Sequence, residues 1–174
     1  MKGWRSFGKK TYLCRILSAK QMKNWDKNNK SMIEVGMKHT SELVVSEPVT
    51  AIRIGSGDMP VLATPAMMAL MENAAMRAVG DAIPEGCTTV GGHIESSHLS
   101  PSKIGDRVTA TAEVTKVDGK KIEFKVMAHS GDKLIGEGTH LRFVVDKERF
   151  MSKVNSSLPA VSPDAPLPAC TPRP

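Results

Sequence analysis

The sequence predicts an α+β domain in which an antiparallel sheet wraps around one mostly buried helix. A single long apolar segment with helical spacing runs from Thr64 to about Val79. Strand patterns separated by tight-turn signals dominate the sequence after it. A sheet of this kind keeps one open edge, and pairing with a second copy of the chain would cover it.

The predicted helix is supported by its spacing and by its ends. Its apolar side chains recur three or four residues apart, at Met67, Leu70, Met71, Ala74, Ala75 and Ala78. Thr64 suits the N-cap position and Pro65 suits the first helical position. Gly80 is expected to end the helix, because glycine accepts the left-handed conformation. Apolar residues occupy much of the circumference, so burial of the helix is expected.

Strands are predicted on both sides of this helix along the chain. Residues 40–49 can form a strand, and a Gly-rich loop follows it. In residues 107–117 apolar and polar side chains alternate, as in a half-buried strand. Asp118 and Gly119 mark a tight hairpin turn. The remaining predicted strands are residues 88–99, 122–128 and 133–145.

Composition divides the chain into a domain at residues 32–150 and two tails. Residues 1–31 form a basic extension, predicted to be disordered or partly helical, and residues 1–30 carry nine Lys and Arg against Asp26 alone. Residues 151–174 are rich in Pro and Ser, which predicts a disordered tail. From residue 31 onward, fifteen Lys and Arg stand against seventeen Asp and Glu. This slight negative charge argues against a nucleic-acid-binding face on the domain.

Several other classes of protein are disfavoured. No run of about 18 apolar residues occurs, so no membrane span is predicted. Cys14, Cys87 and Cys170 are scattered and form no CxxC pair, which fits a reducing cytosol better than a disulfide framework or a zinc site. The basic start also resembles an organelle transit peptide, so import is the alternative to a cytoplasmic location. No nucleotide-binding, HExxH or GxSxG motif occurs, and no cofactor and no metal are expected.

The candidate functional residues are polar groups in apolar surroundings. Thr64 opens the buried helix, although an N-cap role would explain it by itself. Glu72 stands two turns further on among apolar residues, where burial would make it a general base or a nucleophile. The alternative is a carboxylate at the helix edge in water. His98 ends a strand and suits proton transfer near neutral pH, although a structural histidine is the commoner case.

Two further features lie on the strands. Gly91 and Gly92 allow close approach of a ligand and could aim a backbone N–H at an oxyanion, or they could form a β-bulge. Arg142 could bind a phosphate or a carboxylate, or it could be an exposed strand cation. The remaining histidines compete with His98 for a functional role: His39, His93, His129 and His140.

Four segments, in this order, resemble the fluoroacetyl-CoA thioesterase family of the hotdog superfamily: LATPAMMALMENAAMRAV, VGGHIESSHLSP, IGDRVTATAEVTKVDGKKIEFKVMAH and IGEGTHLRFVV. The resemblance implies a hotdog fold, and a homodimer or a dimer of dimers with active sites near the subunit interface. It also implies catalytic roles for Thr64, Glu72 and His98. By the same resemblance, Gly91 lines the site beside the thioester and Arg142 lies near the substrate.

The resemblance implies an acyl-CoA thioesterase that needs no cofactor beyond the coenzyme A of its substrate. No Phe, Tyr or Trp occurs between Trp25 and Phe124, so the loop before Thr64 offers Met59, Val61 and Leu62 in place of an aromatic lid. We therefore assign the broader class, hydrolysis of a short-chain acyl-CoA. The alternatives are a non-catalytic acyl-CoA-binding hotdog protein and an enoyl-thioester hydratase.

Overall fold

A computed structural model of the chain describes residues 32–157. The predicted basic extension, residues 1–31, lies outside the described residues, as do residues 158–174 of the predicted C-terminal tail. The described part contains five strands and three α-helices: β1 (Lys38–Val44), α1 (Ala51–Ile54), α2 (Thr64–Ala78), β2 (Cys87–His98), β3 (Arg107–Asp118), β4 (Lys121–Ser130), β5 (Lys133–Asp146) and α3 (Lys147–Ser157). No helix among residues 32–157 is long and apolar enough to cross a membrane.

The five strands form one antiparallel sheet in the order β1-β3-β4-β5-β2. Strands β3, β4 and β5 form the predicted meander, while β1 and β2 lie at its two edges. Strand β2 pairs with β5 on one side only, so its other edge has no partner strand within the described residues. Because β2 is twelve residues long, this edge leaves an extended row of backbone groups available for pairing.

Helix α2 covers the inner face of the sheet and supplies much of the core. Its buried side chains are Ala66, Met67, Leu70, Met71, Ala74 and Ala75. The buried side chains of the strands alternate along each strand and include Val108, Ala110, Ala112, Val114, Ile122, Phe124, Val126 and Ala128. Small residues on β3 allow the helix to lie close to the sheet. The predicted hotdog arrangement, a central helix wrapped by an antiparallel sheet, is confirmed.

Several predicted boundaries move for identifiable reasons. The first strand ends at Val44, and residues Glu47–Val49 form a 3-10 turn. Pro48 has no backbone N–H to donate to a strand ladder, which favours the turn. The predicted loop contains the short helix α1, which Gly55 ends in the left-handed conformation with φ of 78°. Residues 151–157, which composition placed in the tail, belong to α3 because the first proline beyond the sheet is Pro159.

The ends of α2 also differ from the predictions. Ala63 is the N-cap, and Thr64 is the first helical residue with no side-chain capping bond, so the predicted N-cap role of Thr64 is wrong. The Thr64 hydroxyl is instead engaged by a strand residue, as described below. At the other end Val79 is the C-cap, and Gly80 begins a 3-10 turn rather than adopting the left-handed conformation. Burial of Ala82 in that turn draws the chain back onto the core.

We expect the substitution Met71→Ala to destabilise the fold by about 2–5 kcal/mol, because it leaves a cavity between α2 and the sheet. Met71 is fully buried, whereas Met76 on the same helix is 38% exposed. The matched control Met76→Ala should cost about 0.5 kcal/mol or less. Urea unfolding measures both changes. Equal losses for the two variants would contradict the described burial of α2.

Candidate active site

Thr64 and His98 form a hydrogen-bonded pair at one end of the helix. The Thr64 Oγ1 atom lies 2.9 Å from His98 Nδ1, so the start of α2 is joined to the end of β2. The other ring nitrogen of His98, Nε2, is buried and has no hydrogen-bond partner in the described part of the chain. That nitrogen therefore has an unused hydrogen-bonding position in the described part of the chain.

A groove of about 290 Å³ adjoins this pair. Thr64 and His98 lie in its wall, which is completed by Ala51, Ser56, Val61, Leu62, Leu99, Ser100 and Pro101. Of the three apolar residues predicted to replace an aromatic lid, Val61 and Leu62 line the groove. Met59 does not line it and is mostly exposed. The groove thus has an apolar wall of short side chains beside two polar reactive groups.

Glu72 lies two turns along α2 from Thr64, beside a different group of residues. Its Oε1 atom is 3.5 Å from His140 Nε2 and 3.8 Å from Arg142 Nη1. The Glu72 side chain is 42% exposed, so in the single chain it lies at the helix edge rather than in the core. A Cβ atom at position 91 would stand 2.6 Å from Oε1. A larger residue at position 91 would require the Glu72 carboxylate to move away from the strand.

The Gly91-Gly92 pair was predicted either to allow close approach of another group or to form a β-bulge, and it does both. The register between β2 and β5 shifts between Gly91 and His93, which makes Gly92 the extra residue of a β-bulge. A Cβ on Gly92 would meet the Phe143 ring at 2.5 Å, so a larger residue at this position would require the ring to move. The bulge lies at the point where the Glu72 carboxylate approaches the strand.

Arg142 is buried, which contradicts its interpretation as an exposed strand cation. Its side chain donates from Nε to Thr89 Oγ1 at 2.9 Å and from Nη2 to the Thr89 carbonyl oxygen at 2.7 Å. Its Nη1 atom lies 3.1 Å from His140 Nε2. Burial lowers the pKa of Arg142, and the nearby charge of Glu72 opposes that shift. The guanidinium is therefore held by protein groups on three sides.

The sequence predictions missed Thr89 as the partner of Arg142 and His140 as a neighbour of Glu72. His140 was considered only as a competitor of His98. The available signal was the two-residue separation of His140 and Arg142 on one strand, which places both on the same face of the sheet. Of the other histidines, His93 is exposed and lines a cavity together with His140, while His39 on β1 and His129 on β4 are partly exposed.

The single chain does not bring the three predicted catalytic residues together. Thr64 and Glu72 are eight residues apart on one helix, which separates their backbones by about 12 Å. Thr64 and His98 therefore form one cluster, and Glu72, Gly91 and Arg142 form another. Among residues 32–157 no group of three or more His, Cys, Asp or Glu is arranged to hold a metal ion.

Burial keeps the histidines of both clusters neutral near pH 7. It lowers the pKa of His98 from the ordinary value of 6.5, and an interaction with the Ser100 backbone opposes the shift only in part. Burial is also the main cause of the lowered pKa of His140. A neutral His98 can accept a proton, as a general base must.

Comparison with known proteins gives one consistent family. Residues 45–148 match the family described as fluoroacetyl-CoA-specific thioesterase. The fluoroacetyl-CoA thioesterase of Streptantibioticus cattleyicolor is 35% identical over 138 residues, which cover 75% of this chain and 99% of the relative. A solved structure of the fluoroacetyl-CoA thioesterase FlK superposes with a TM-score of 0.69 at 33% identity, covering 73% of this chain and 98% of that chain.

Two further solved structures agree with this family. A variant of FlK solved in complex with acetyl-CoA is 32% identical, with a TM-score of 0.69 and coverage of 73% of this chain and 100% of that chain. A Thermus thermophilus protein described as a thioesterase superfamily member is 27% identical, with a TM-score of 0.67 and coverage of 71% and 92%.

We expect the folded chain to lose stability as the pH falls below the ordinary histidine value of 6.5. The pKa values of His98 and His140 are lower in the folded chain than in the unfolded chain. The unfolded chain therefore binds more protons as the pH falls, and this proton binding lowers the free energy of unfolding. Urea unfolding at about pH 7.5 and about pH 5.5 measures the loss, which should shrink in His98→Gln and in His140→Gln. A loss that is unchanged in both variants would contradict the assignment.

Proposed function

Because the chain belongs to the fluoroacetyl-CoA-specific thioesterase family, we propose that it hydrolyses a short-chain acyl-CoA to the free acid and coenzyme A. One observation carries the proposal for this chain's own residues. The hydrogen-bonded pair of Thr64 and His98 stands in the wall of an apolar groove, and the second ring nitrogen of His98 is free. This arrangement supports acyl transfer to water without a cofactor.

The proposed chemistry assigns a role to four of the predicted residues, Thr64, Gly91, His98 and Glu72. The thioester carbonyl lies near the Thr64 hydroxyl and the backbone N–H of Gly91, which stabilise the negative charge that develops on its oxygen. Where water attacks the thioester directly, His98 takes a proton from the water and passes it to the departing thiolate. Where Glu72 attacks first, the thiolate leaves as the anhydride forms, and it receives a proton only when His98 has taken one from the water that cleaves the anhydride. Glu72 either orients His98 and the water, or attacks first to form an anhydride that water then cleaves. In both routes the C–S bond breaks and water supplies the new C–O bond.

We propose that the complete site forms in a homodimer. Gly91 and His98 lie on the same strand, β2, whose outer edge is unpaired in the described chain. Antiparallel pairing of two β2 strands about a twofold axis near Ile94 and Glu95 would bring Gly91 beside His98 of the partner subunit. Glu72 approaches Gly91 within its own chain. The proposed site therefore takes Glu72 and Gly91 from one protomer, with Thr64 and His98 supplied by its partner.

We propose a reducing compartment, the cytosol, as the location of the protein. The Cys87 thiol is free, and burial raises its pKa above the ordinary value. A thiol of this kind resists oxidation, since the thiolate is the reactive form.

Thiol release from a panel of short-chain acyl-CoAs tests the activity. We expect release by the wild type and a fall of about a hundredfold or more in Glu72→Ala, because the group that orients His98 and the water, or the nucleophile, is lost. Glu113→Ala is the matched control, since Glu113 is an exposed carboxylate on β3. It should retain wild-type activity.

The same panel separates the two alternatives. A non-catalytic binding protein would retain acyl-CoA without releasing thiol. An enoyl-thioester hydratase would remove the conjugated absorption of an enoyl-CoA, again without releasing thiol. Either result would overturn the proposed function. Circular dichroism of both variants confirms that any loss of activity is not loss of fold.

Mixing two inactive variants tests the shared site. Glu72→Ala and Thr64→Ala chains, unfolded together and refolded, form heterodimers in which one site carries both changes and the other carries neither. We expect the mixture to regain roughly a quarter of wild-type activity, because half of the dimers then hold one intact site of two. A site built within one chain would be damaged in every dimer. No recovery in a mixture shown to contain heterodimers would therefore contradict the shared site.

A further inference from the structure

His140 is almost completely buried, and the proposed chemistry does not use it. Its side chain is 2% exposed, on the inner face of β5. Buried polar side chains are retained where hydrogen bonds satisfy them, so its partners indicate what it does. Those partners are the carbonyl oxygen of His93 and the guanidinium of Arg142.

These partners fix the protonation state of the ring. The His93 carbonyl oxygen, 2.7 Å from Nδ1, can only accept, so Nδ1 carries a hydrogen and donates it. Arg142 Nη1, 3.1 Å from Nε2, can only donate, so Nε2 carries a lone pair and accepts. His140 is therefore the neutral Nδ1–H tautomer. A protonated ring would direct an N–H at the guanidinium.

The surroundings of the ring agree with this state. The titratable groups that face it are Arg142 on its own strand, Glu72 on α2 and His93 on β2. Phe124 on β4 adds an uncharged ring, with its centroid 6.3 Å from that of His140. Burial lowers the pKa of His140, and Arg142 adds to this effect, while the His93 carbonyl and Glu72 oppose it.

Arg142 in turn uses three of its five N–H donors within the protein. Thr89 accepts from Nε and from Nη2, and His140 accepts from Nη1. The remaining direction from Nη1 leads to Glu72 Oε1, 3.8 Å away. The same oxygen lies 3.5 Å from His140 Nε2 and directly against Gly91. The carboxylate is thus bounded by the strand backbone, the imidazole and the guanidinium.

We propose that His140 is a positioning residue, which as a neutral hydrogen-bond acceptor holds the Arg142 guanidinium against the carboxylate of Glu72. The inference rests on the proposed function, since it gives His140 a role in orienting the carboxylate that the hydrolysis uses. Thr89 and His140 occupy three of the five N–H donors of Arg142, and its Nη1 atom also lies 3.8 Å from Glu72 Oε1.

Two substitutions separate positioning from bulk packing. His140→Gln retains a neutral acceptor near the position of Nε2, whereas His140→Phe retains a planar ring without an acceptor. We expect His140→Phe to lower kcat roughly tenfold or more with little change in KM, because Arg142 loses a buried acceptor. His140→Gln should retain most of kcat. Equal losses in both variants would overturn the proposal.

A double-mutant cycle with Glu72 shows whether the effect passes through the carboxylate. In the Glu72→Ala background, His140→Phe should cause no further loss of the residual rate. A further loss as large as in the wild type would mean that His140 acts independently of Glu72, which would overturn the proposal. Thermal unfolding of all four proteins excludes an effect of global stability.

An NMR measurement tests the arrangement without activity. Imidazole ¹⁵N shifts of the wild type should identify His140 as the neutral Nδ1–H tautomer at about pH 7. An Nε2–H tautomer or an imidazolium would overturn the proposal. If the wild type released no thiol but His140 showed the expected tautomer, the proposed function would fail while the hydrogen-bond arrangement stood, so the two failures are distinguishable. If His140→Phe fails to fold, the tautomer of His140 in the wild type still tests the proposal, and His140→Gln still tests the need for a neutral acceptor.

Discussion

The packing of α2 against the inner face of the sheet is the constraint on which the rest of the structure depends. The helix supplies much of the hydrophobic core, and its buried side chains pack against the inward-facing side chains of β3, β4 and β5. Its axis also fixes how far apart Thr64 and Glu72 stand. The same packing that stabilises the fold therefore determines that one helix serves two separate clusters of polar residues.

Each cluster depends on that packing in its own way. At the start of α2, the Thr64 hydroxyl meets His98 because Ala63 takes the capping position and the first turn lies against the end of β2. Two turns later, Glu72 lies at the edge of the helix, opposite Gly91 of β2, which has no side chain. Both clusters lie along β2, which is also the strand with an unpaired edge. Assembly through that edge is thus the natural way to unite them.

Much of the fold could be predicted because local patterns and burial agree. The alternation along β3 and β4 and the spacing of apolar residues from Met67 to Ala75 each describe one buried face. The predictions failed at the ends of α2, where residue preference is weaker than tertiary contact. Thr64 is a good N-cap by propensity, but a hydrogen bond to His98 uses the hydroxyl that capping would need. Gly80 continues into a turn that buries Ala82.

The candidate site was only partly accessible from the sequence. The sequence itself indicated Thr64, Glu72 and His98 as candidates, but their catalytic roles came from resemblance, because an isolated polar residue has no periodicity that would reveal its partners. The sequence could not tell that Arg142 is buried, since its partners are Thr89, on a strand far away in the chain, and the ring of His140. Contacts between residues on different strands depend on register, and register is set by the whole sheet.

The bulge at Gly92 determines which face of β2 is occupied by the residues on either side of it. Gly91 and His98 are separated by an odd number of residues, so in a regular strand their side positions would point to opposite faces. The extra residue reverses the alternation once, which allows Gly91 to face Glu72 while His98 faces Thr64. Deletion of the bulge residue would leave the two an even number of residues apart on one face, whereas a one-residue insertion or deletion between the bulge and His98 would turn one of the two outward. The number of residues between Gly91 and His98 is therefore as constrained as their identities, because a change in that number alters which side chains face the site.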